Sequence, residues 1–317
     1  ISGVSASAFA PFVAAVDPAL LGVPNFRSLE RFRGLQERFN GVRMVKWNSL
    51  RDTPDSRYVG LTLPRVLMRL PYQDDVRRRD GFIYREDIAA PGGSGYLWGN
   101  SAFGFGSILI RAFANSGWFA DIRGTYLGPG WGGVVDSLPA PSFGTDTRGV
   151  ALKSGVEVSL SDDQEKELSG LGFIPVCDCQ DAPYSVFLSN QSIQRPKKYH
   201  DAAANTNARM SAMLQYILCA SRFAHYLKVA AREKVGSFAE PDEVQDHLHN
   251  WVQQYVSIDS SASLDLRARY PLRDAKVVVK RIPGDPGHFG ATFYFRPHYQ
   301  LDDMMGTLKL TTRLKRD

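Results

Sequence analysis

The stretch ATFYFRPHYQLDDMMGTLKLTTRL, Ala291 to Leu314, decides how the chain is read. In its last residues Leu308, Leu310, Thr312 and Leu314 alternate with Thr307, Lys309, Thr311 and Arg313, the period of two of a half-buried strand. Gly306 stands at the start of that strand, where glycine weakens pairing and marks a bulge. Upstream, Val277 to Ile282 and Ala291 to Phe295 flank PGDPG, whose residues favour chain reversal, so the pair reads as a hairpin. A terminal strand of this kind either joins its own sheet or offers an edge to another chain. No catalytic motif interrupts the run, which points to assembly rather than turnover.

Working back from the hairpin, HLHNWVQQYV belongs to a helix opened by Pro241, with Val244, Leu248, Trp251, Val252 and Tyr255 on its inner face. Before it lies a longer amphipathic helix starting near Asn205 or Asn207. Met210, Met213, Leu214, Ile217, Ala220, Ala224, Leu227 and Ala231 form its inner stripe, and Gly236 ends it. The polar stretch Ser189 to Asn205 reads as a linker. The expected division is therefore an α/β body over 1–205, with a Gly/Pro-rich insert near 124–149, and a helical pair with a C-terminal β module over 206–317.

Within the body, Tyr58, Val59, Leu61 and Leu63 before Pro64 read as a buried strand. Trp98, Ala102, Phe105, Leu109 and Ala112 recur at helical spacing, and Gly99, Gly104 and Gly106 among them imply close backbone packing or an interrupted helix. Val156 to Leu160 alternates like a strand, and Ser161 caps a helix running to Leu168. Gly172 to Val176 and Ser185 to Leu188 read as further buried strands. Ser5 to Val16 reads as a short helix closed by Pro18.

Composition excludes several classes. With 317 residues and 44% hydrophobic content the chain can bury a sizeable core. A net charge of +5 is too modest at this length to indicate nucleic acid, and the basic run Arg77 to Arg79 is flanked by Asp74, Asp75 and Asp80. Arg222, His225 and Lys228 interrupt the longest apolar stretch, which argues against membrane insertion. Three cysteines cannot build a disulfide framework and suit a reducing compartment, the cytosol being the expected location. The chain opens at Ile1 without a start methionine or a basic leader, and it reads as a fragment whose natural N-terminal region is missing.

Nor do the motifs indicate catalysis. Gly128, Gly130 and Gly133 spell GxGxxG, but Pro139 and Pro141 follow where a phosphate-binding helix should run, so a tight surface or packing turn is the better reading. There is no P-loop, G-x-S-x-G or H-E-x-x-H. Cys177 with Cys179, and His247 with His249, are spaced so that neither pair supplies a metal set, and His225 has no nucleophile or carboxylate at a telling spacing. No enzymatic activity, cofactor or metal is expected.

The segments DSRYVGLTLPRVLMRLPY, GYLWGNSAFGFGSILIRAF, RFAHYLKVAAREKVGSF, ARYPLRDAKVVV and FYFRPHYQLDDMMGTLKLTTRL, in this order, closely resemble the large subunit of the type VI secretion contractile sheath, the family called TssC or VipB. The resemblance implies the contractile-sheath fold, a mixed α/β architecture in which a mixed sheet is flanked by helices and a terminal strand augments a sheet shared between subunits. It implies pairing with a small sheath subunit of the TssB or VipA type, stacking into a helical tube around an Hcp inner tube, and contraction that propels that tube. A baseplate, and a ClpV-type ATPase acting through the missing N-terminal region, complete the implied partners. On this resemblance Met305, Thr307, Leu308, Lys309, Leu310, Thr311, Thr312, Arg313 and Leu314 form the inter-subunit strand. Arg267, Arg269 and Arg273 are candidates for contact with the inner tube, where charge complementarity suits a sliding surface. The sheath of a related phage-tail-like machine is the alternative, distinguished by its use of a single sheath protein.

Overall fold

The computed structural model describes residues 1–32, 34–72, 83–88, 95–125, 129–140, 155–179, 182, 184–235, 240–259, 262–282, 289–298 and 308–314. The first part of the chain contains α1 (Ser2–Ala8), β1 (Phe12–Ala15), α2 (Pro18–Leu21), α3 (Leu35–Phe39) and α4 (Val45–Arg51). It continues through β2 (Val59–Leu63), β3 (Val66–Leu67), β4 (Trp98–Gly99), α5 (Ala102–Ser116) and β5 (Val134–Val135). Next come α6 (Asp162–Gly170), β6 (Ile174–Asp178) and β7 (Ser185–Phe187). The last part holds α7 (Ala202–Met210), α8 (Leu214–Val235), α9 (Pro241–Gln253), α10 (Leu264–Arg269), β8 (Leu272–Arg281), β9 (Phe289–Pro297) and β10 (Leu308–Leu314). The fold class is mixed α/β.

A five-stranded sheet in the order β1-β2-β6-β7-β5 organises the body. The β1–β2 and β2–β6 pairs are parallel, whereas β6–β7 and β5–β7 are antiparallel. Its inner strands are buried on both sides, as strands with cores on two faces must be. Along β6, Ile174 and Val176 join the cluster under α5 with Phe105, Ile108 and Ala112, while Cys177 joins the opposite cluster with Phe26, Phe39 and Leu168. Phe187 and Val186 divide between the same two layers on β7. The cap of α6 follows from its sequence: the Gln164 N–H donates to Ser161 Oγ and the Ser161 N–H donates to Gln164 Oε1, a capping box.

A second core joins α8, α9 and a three-stranded sheet in the order β10-β9-β8. Phe223, Leu227 and Ala231 of α8 and Val244, Leu248 and Val252 of α9 pack on Ala275, Val277 and Val279 of β8 and on Phe293 and Phe295 of β9. Leu214 and Ile217, at the start of α8, belong instead to the first core, so this helix spans both. Trp118 seals the junction, with its ring stacked 4.2 Å from Phe223.

Five expectations from the sequence need correction. First, α5 runs unbroken through Gly104 and Gly106, neither of which lies beneath another backbone. Ser5 to Val16 is helix and then strand, because Phe9 adopts a left-handed cap and Pro11 precedes the β1 pairing. Trp98 lies in β4 rather than on the α5 face. Residues Val156 to Leu160 form one isolated bridge, Val66 with Val156, and no longer strand. The long helix is interrupted between Met210 and Leu214 because its backbone is used elsewhere. The Leu214 N–H donates to the Asn190 carbonyl and the Ser192 N–H donates to the Ala212 carbonyl, while Met213 bridges to Gln191.

Candidate assembly site

The C-terminal sheet starts from a ten-residue strand, β8, whose register runs from Ala275↔Phe295 to Arg281↔Phe289. A shift between Leu272 and Asp274 leaves Arg273 at a bulge. Burial alternates along both strands: Ala275, Val277, Val279, Ala291, Phe293 and Phe295 face the core. Lys276 and Lys280 are exposed on the other side, with Tyr294 and Thr292 half-buried beside them.

The outer edge of β8 is closed. The Val279 N–H donates to Gln245 Oε1 at 3.0 Å, and Gln253 Nε2 donates to the Ala275 carbonyl at 3.0 Å. Nearer the start of the strand, the Leu272 N–H donates to the Tyr255 carbonyl and its own carbonyl accepts the Ser257 N–H. Two glutamines two turns apart on α9, together with the segment after that helix, thus occupy groups that a further strand would need. Edge strands are commonly protected in such ways.

The opposite edge is β10. It pairs antiparallel with β9 in the same chain, from Leu308↔Phe295 to Leu314↔Phe289. This register sets Leu308, Leu310, Thr312 and Leu314 opposite core residues of β9, in step with the alternation of the sequence. Backbone parity then follows from the glutamine contacts. Ala275 and Val279 turn outward on β8, so in antiparallel pairing Thr292 bonds to β8 and Ala291, Phe293 and Phe295 turn toward β10. Leu308, Leu310 and Thr312 meet them, leaving the backbone groups of Lys309, Thr311 and Arg313 directed away from β9. Met305 and Thr307 lie outside the described residues.

Of the other candidates, Arg267 on α10 and Arg273 at the bulge both approach His298, whose imidazole is held below its usual pKa by burial first and then by these two cations. Arg269 is not part of that group; it pairs with Asp265 at 3.3 Å. Sequence reasoning missed Gln245 and Gln253, since a glutamine on a helix gives no signal of which backbone it reaches. His225 is a structural contact, its Nε2 donating to the Ala8 carbonyl at 2.9 Å. Burial pushes the Cys177 and Cys219 thiols up to about 12, which keeps them protonated. Gly133 packs where a side chain would strike the Phe187 carbonyl, and Gly128 lies outside the described residues. Among the described residues no helix is long and apolar enough to cross a membrane.

Residues 1–194 match the VipB tail sheath N-terminal domain, and residues 203–314 match the VipB tail sheath gpW/gp25-like domain. The chain is 39% identical over 312 residues to the type VI secretion system sheath protein TssC1 of Pseudomonas aeruginosa. That alignment takes in 98% of this chain and 62% of the relative, so the chain spans about 62% of the length of the curated relative it matches. The two domain matches meet at the linker before α7, and together they carry the whole arrangement of body, helical pair and C-terminal sheet: the chain belongs to the VipB family of type VI secretion tail sheath proteins, the TssC kind.

Proposed function

We propose that the chain is the greater part of the large subunit of a type VI secretion contractile sheath, working as a structural protein and not as an enzyme. It pairs with a small sheath subunit, the pairs stack with further copies into a helical tube around an Hcp inner tube on a baseplate, and contraction propels that tube. A ClpV-type ATPase then dismantles the contracted form through a region outside this chain. One observation carries the reading: the C-terminal sheet is sealed along β8 by Gln245 and Gln253, and β10 forms its other edge. Strand addition beyond β10 joins neighbours through backbone hydrogen bonds while flexible connections let the subunits rotate, as contraction requires. The inter-subunit segment is Met305 to Leu314. Arg267, Arg269 and Arg273 face the inner tube, and reversing all three charges should block tubes that enclose Hcp while sparing subunit pairing.

The test is electron microscopy of the natural full-length protein co-expressed with its small subunit. The parent should form tubes. Thr311→Pro removes an N–H directed away from β9, a position where an edge strand tolerates proline, so the protein should fold and pair but form no tubes. Normal tubes from Thr311→Pro would overturn the reading. Tubes formed without any small subunit would move the protein to the single-component sheaths of phage-tail-like machines.

A further inference from the structure

A groove runs between α4, the later part of α7 and the linker that follows β7, at the seam between the two matched domains. It consists of two adjoining hollows of about 700 Å³ and about 600 Å³, separated by the segment Gln194 to Tyr199. Arg51, Arg195, Lys197, Lys198 and Arg209 line it, with Arg57 at one end. Asp52 is the one carboxylate among the described lining residues, and Arg195 already holds it with bonds of 2.8 and 2.6 Å. The groove therefore carries an excess of cations that its own acids do not balance.

Two features distinguish it from a solvated basic surface. Arg51 is only 4% exposed, and its guanidinium donates to the carbonyls of Ile193 and Gly170 rather than to a carboxylate. Buried arginines are normally paired with acids, and burial and Arg195 together bring the pKa of Arg51 down to about 10. The cationic segment is also pinned at both ends. The Arg195 N–H donates to the Arg51 carbonyl at 2.9 Å, and Asn205 takes the Tyr199 N–H at 2.7 Å and donates to the Tyr199 carbonyl at 2.8 Å. Lys197 and Lys198 are thus presented on a fixed backbone, which lowers the ordering cost of binding.

We propose that this groove binds an acidic, extended segment of another polypeptide of the same assembly. The identity of the partner rests on the sheath reading above; the chemistry rests on the groove alone. Side-chain amides line the groove together with the cations, Asn48 and Gln191 among them, and amides pair with a peptide backbone as lysines and arginines pair with its carboxylates. A single strand of nucleic acid would call for stacking platforms, whereas Phe39 in this lining is only 1% exposed and Tyr199 is the other aromatic.

The experiment uses the natural full-length protein with its small subunit and measures fluorescence anisotropy of labelled oligoglutamate, oligoglutamine and oligothymidylate of equal length. Lys197, Lys198 and Arg209 are exposed, so K197Q/K198Q/R209Q should retain the parent's melting curve. Oligoglutamate should bind with an affinity that falls as salt rises, and the triple variant should weaken it about tenfold. Unchanged affinity in the variant, or equal binding of oligoglutamine, would overturn the proposal. Tighter binding of oligothymidylate through the same three residues would replace the peptide with nucleic acid. Failure of the parent protein to form tubes would sink the sheath reading instead, and the oligoglutamate measurement remains decisive for the groove in either case.

Discussion

Gly133 and Gly106 show how differently two glycines can be used. At Gly133, where β5 meets β7, an added methyl group would collide with the Phe187 carbonyl, while at Gly106 it would meet nothing within 4 Å. The glycines of α5 therefore do not lie beneath another backbone; even at Gly104 the added carbon would make only ordinary contacts of 3.8 Å with Phe187 and Val135. Gly106→Ala should accordingly stabilise the protein by about 1 kcal/mol, the helix-propensity difference, and Gly133→Ala should destabilise it, both read from denaturant melts. Phe105 is fully buried, with its ring edge-on to Phe187 at 5.2 Å, so Phe105→Ala should cost about 3–5 kcal/mol. Glu165 supplies a pH test. Burial raises its carboxyl pKa in the folded state, so the native protein holds this proton over a window in which the unfolded chain has released it. Stability associated with Glu165 is thus present below the unfolded pKa and is lost as pH rises through the folded one. Glu165→Gln should raise the melting temperature more at pH 8 than at pH 4; an equal gain at both would show that the charge plays no part.

At the scale of elements, β8 and β10 are the two edge strands of one sheet, and β8 is capped by glutamine side chains. Val279 is 6% exposed and Ala275 3%, so removing Gln245 and Gln253 leaves one N–H and one carbonyl of a buried strand without partners. Q245A/Q253A should cost about 1–3 kcal/mol per lost partner and should also open this edge to the wrong neighbours. The expected outcome is a lower melting temperature together with larger, irregular particles in light scattering. A variant that is merely less stable, with monodisperse scattering, would show that the glutamines satisfy the backbone without guarding the edge. The break between α7 and α8 belongs to this scale too, since residues 190–192 draw the backbone of residues 212–214 out of helical bonding.

At the scale of the whole molecule, α8 connects two cores. Its Leu214 and Ile217 pack with the five-stranded sheet, and its Phe223 lies 4.2 Å from Trp118 and 5.1 Å from Phe295 in the other core. The cation of Arg222 sits over Phe113 of α5 at 4.4 Å and over Trp118 at 5.3 Å, which ties α5 to the same junction. Phe223→Ala should therefore cost about 3–5 kcal/mol and act unevenly. Hydrogen exchange at the amides of β8 and β9 should quicken while that of β2 and β6 keeps its protection. Uniform loss across all four strands would indicate that the two cores unfold as one unit.

The local patterns were legible in the chain itself. Alternation marked β10, the PGDPG turn marked β8 and β9 as a hairpin, Ser161 marked the cap of α6, and apolar spacing marked the inner faces of α8 and α9, because each depends on neighbours a few residues away. What the tertiary structure alone decided depends on partners far along the chain. Hydrogen bonds to residues 190–192 split a helix whose apolar stripe runs on without a break, and Trp98 joined a two-stranded pair with Leu67 instead of extending α5. The candidate site divides in the same way. The strand at the C-terminal end was visible as a strand, yet the closure of the opposite edge of its sheet was set by Gln245 and Gln253, each bonded to a strand residue more than twenty positions away. A backbone edge carries no side-chain signature, so only the packing of α9 against β8 could determine that this edge is closed.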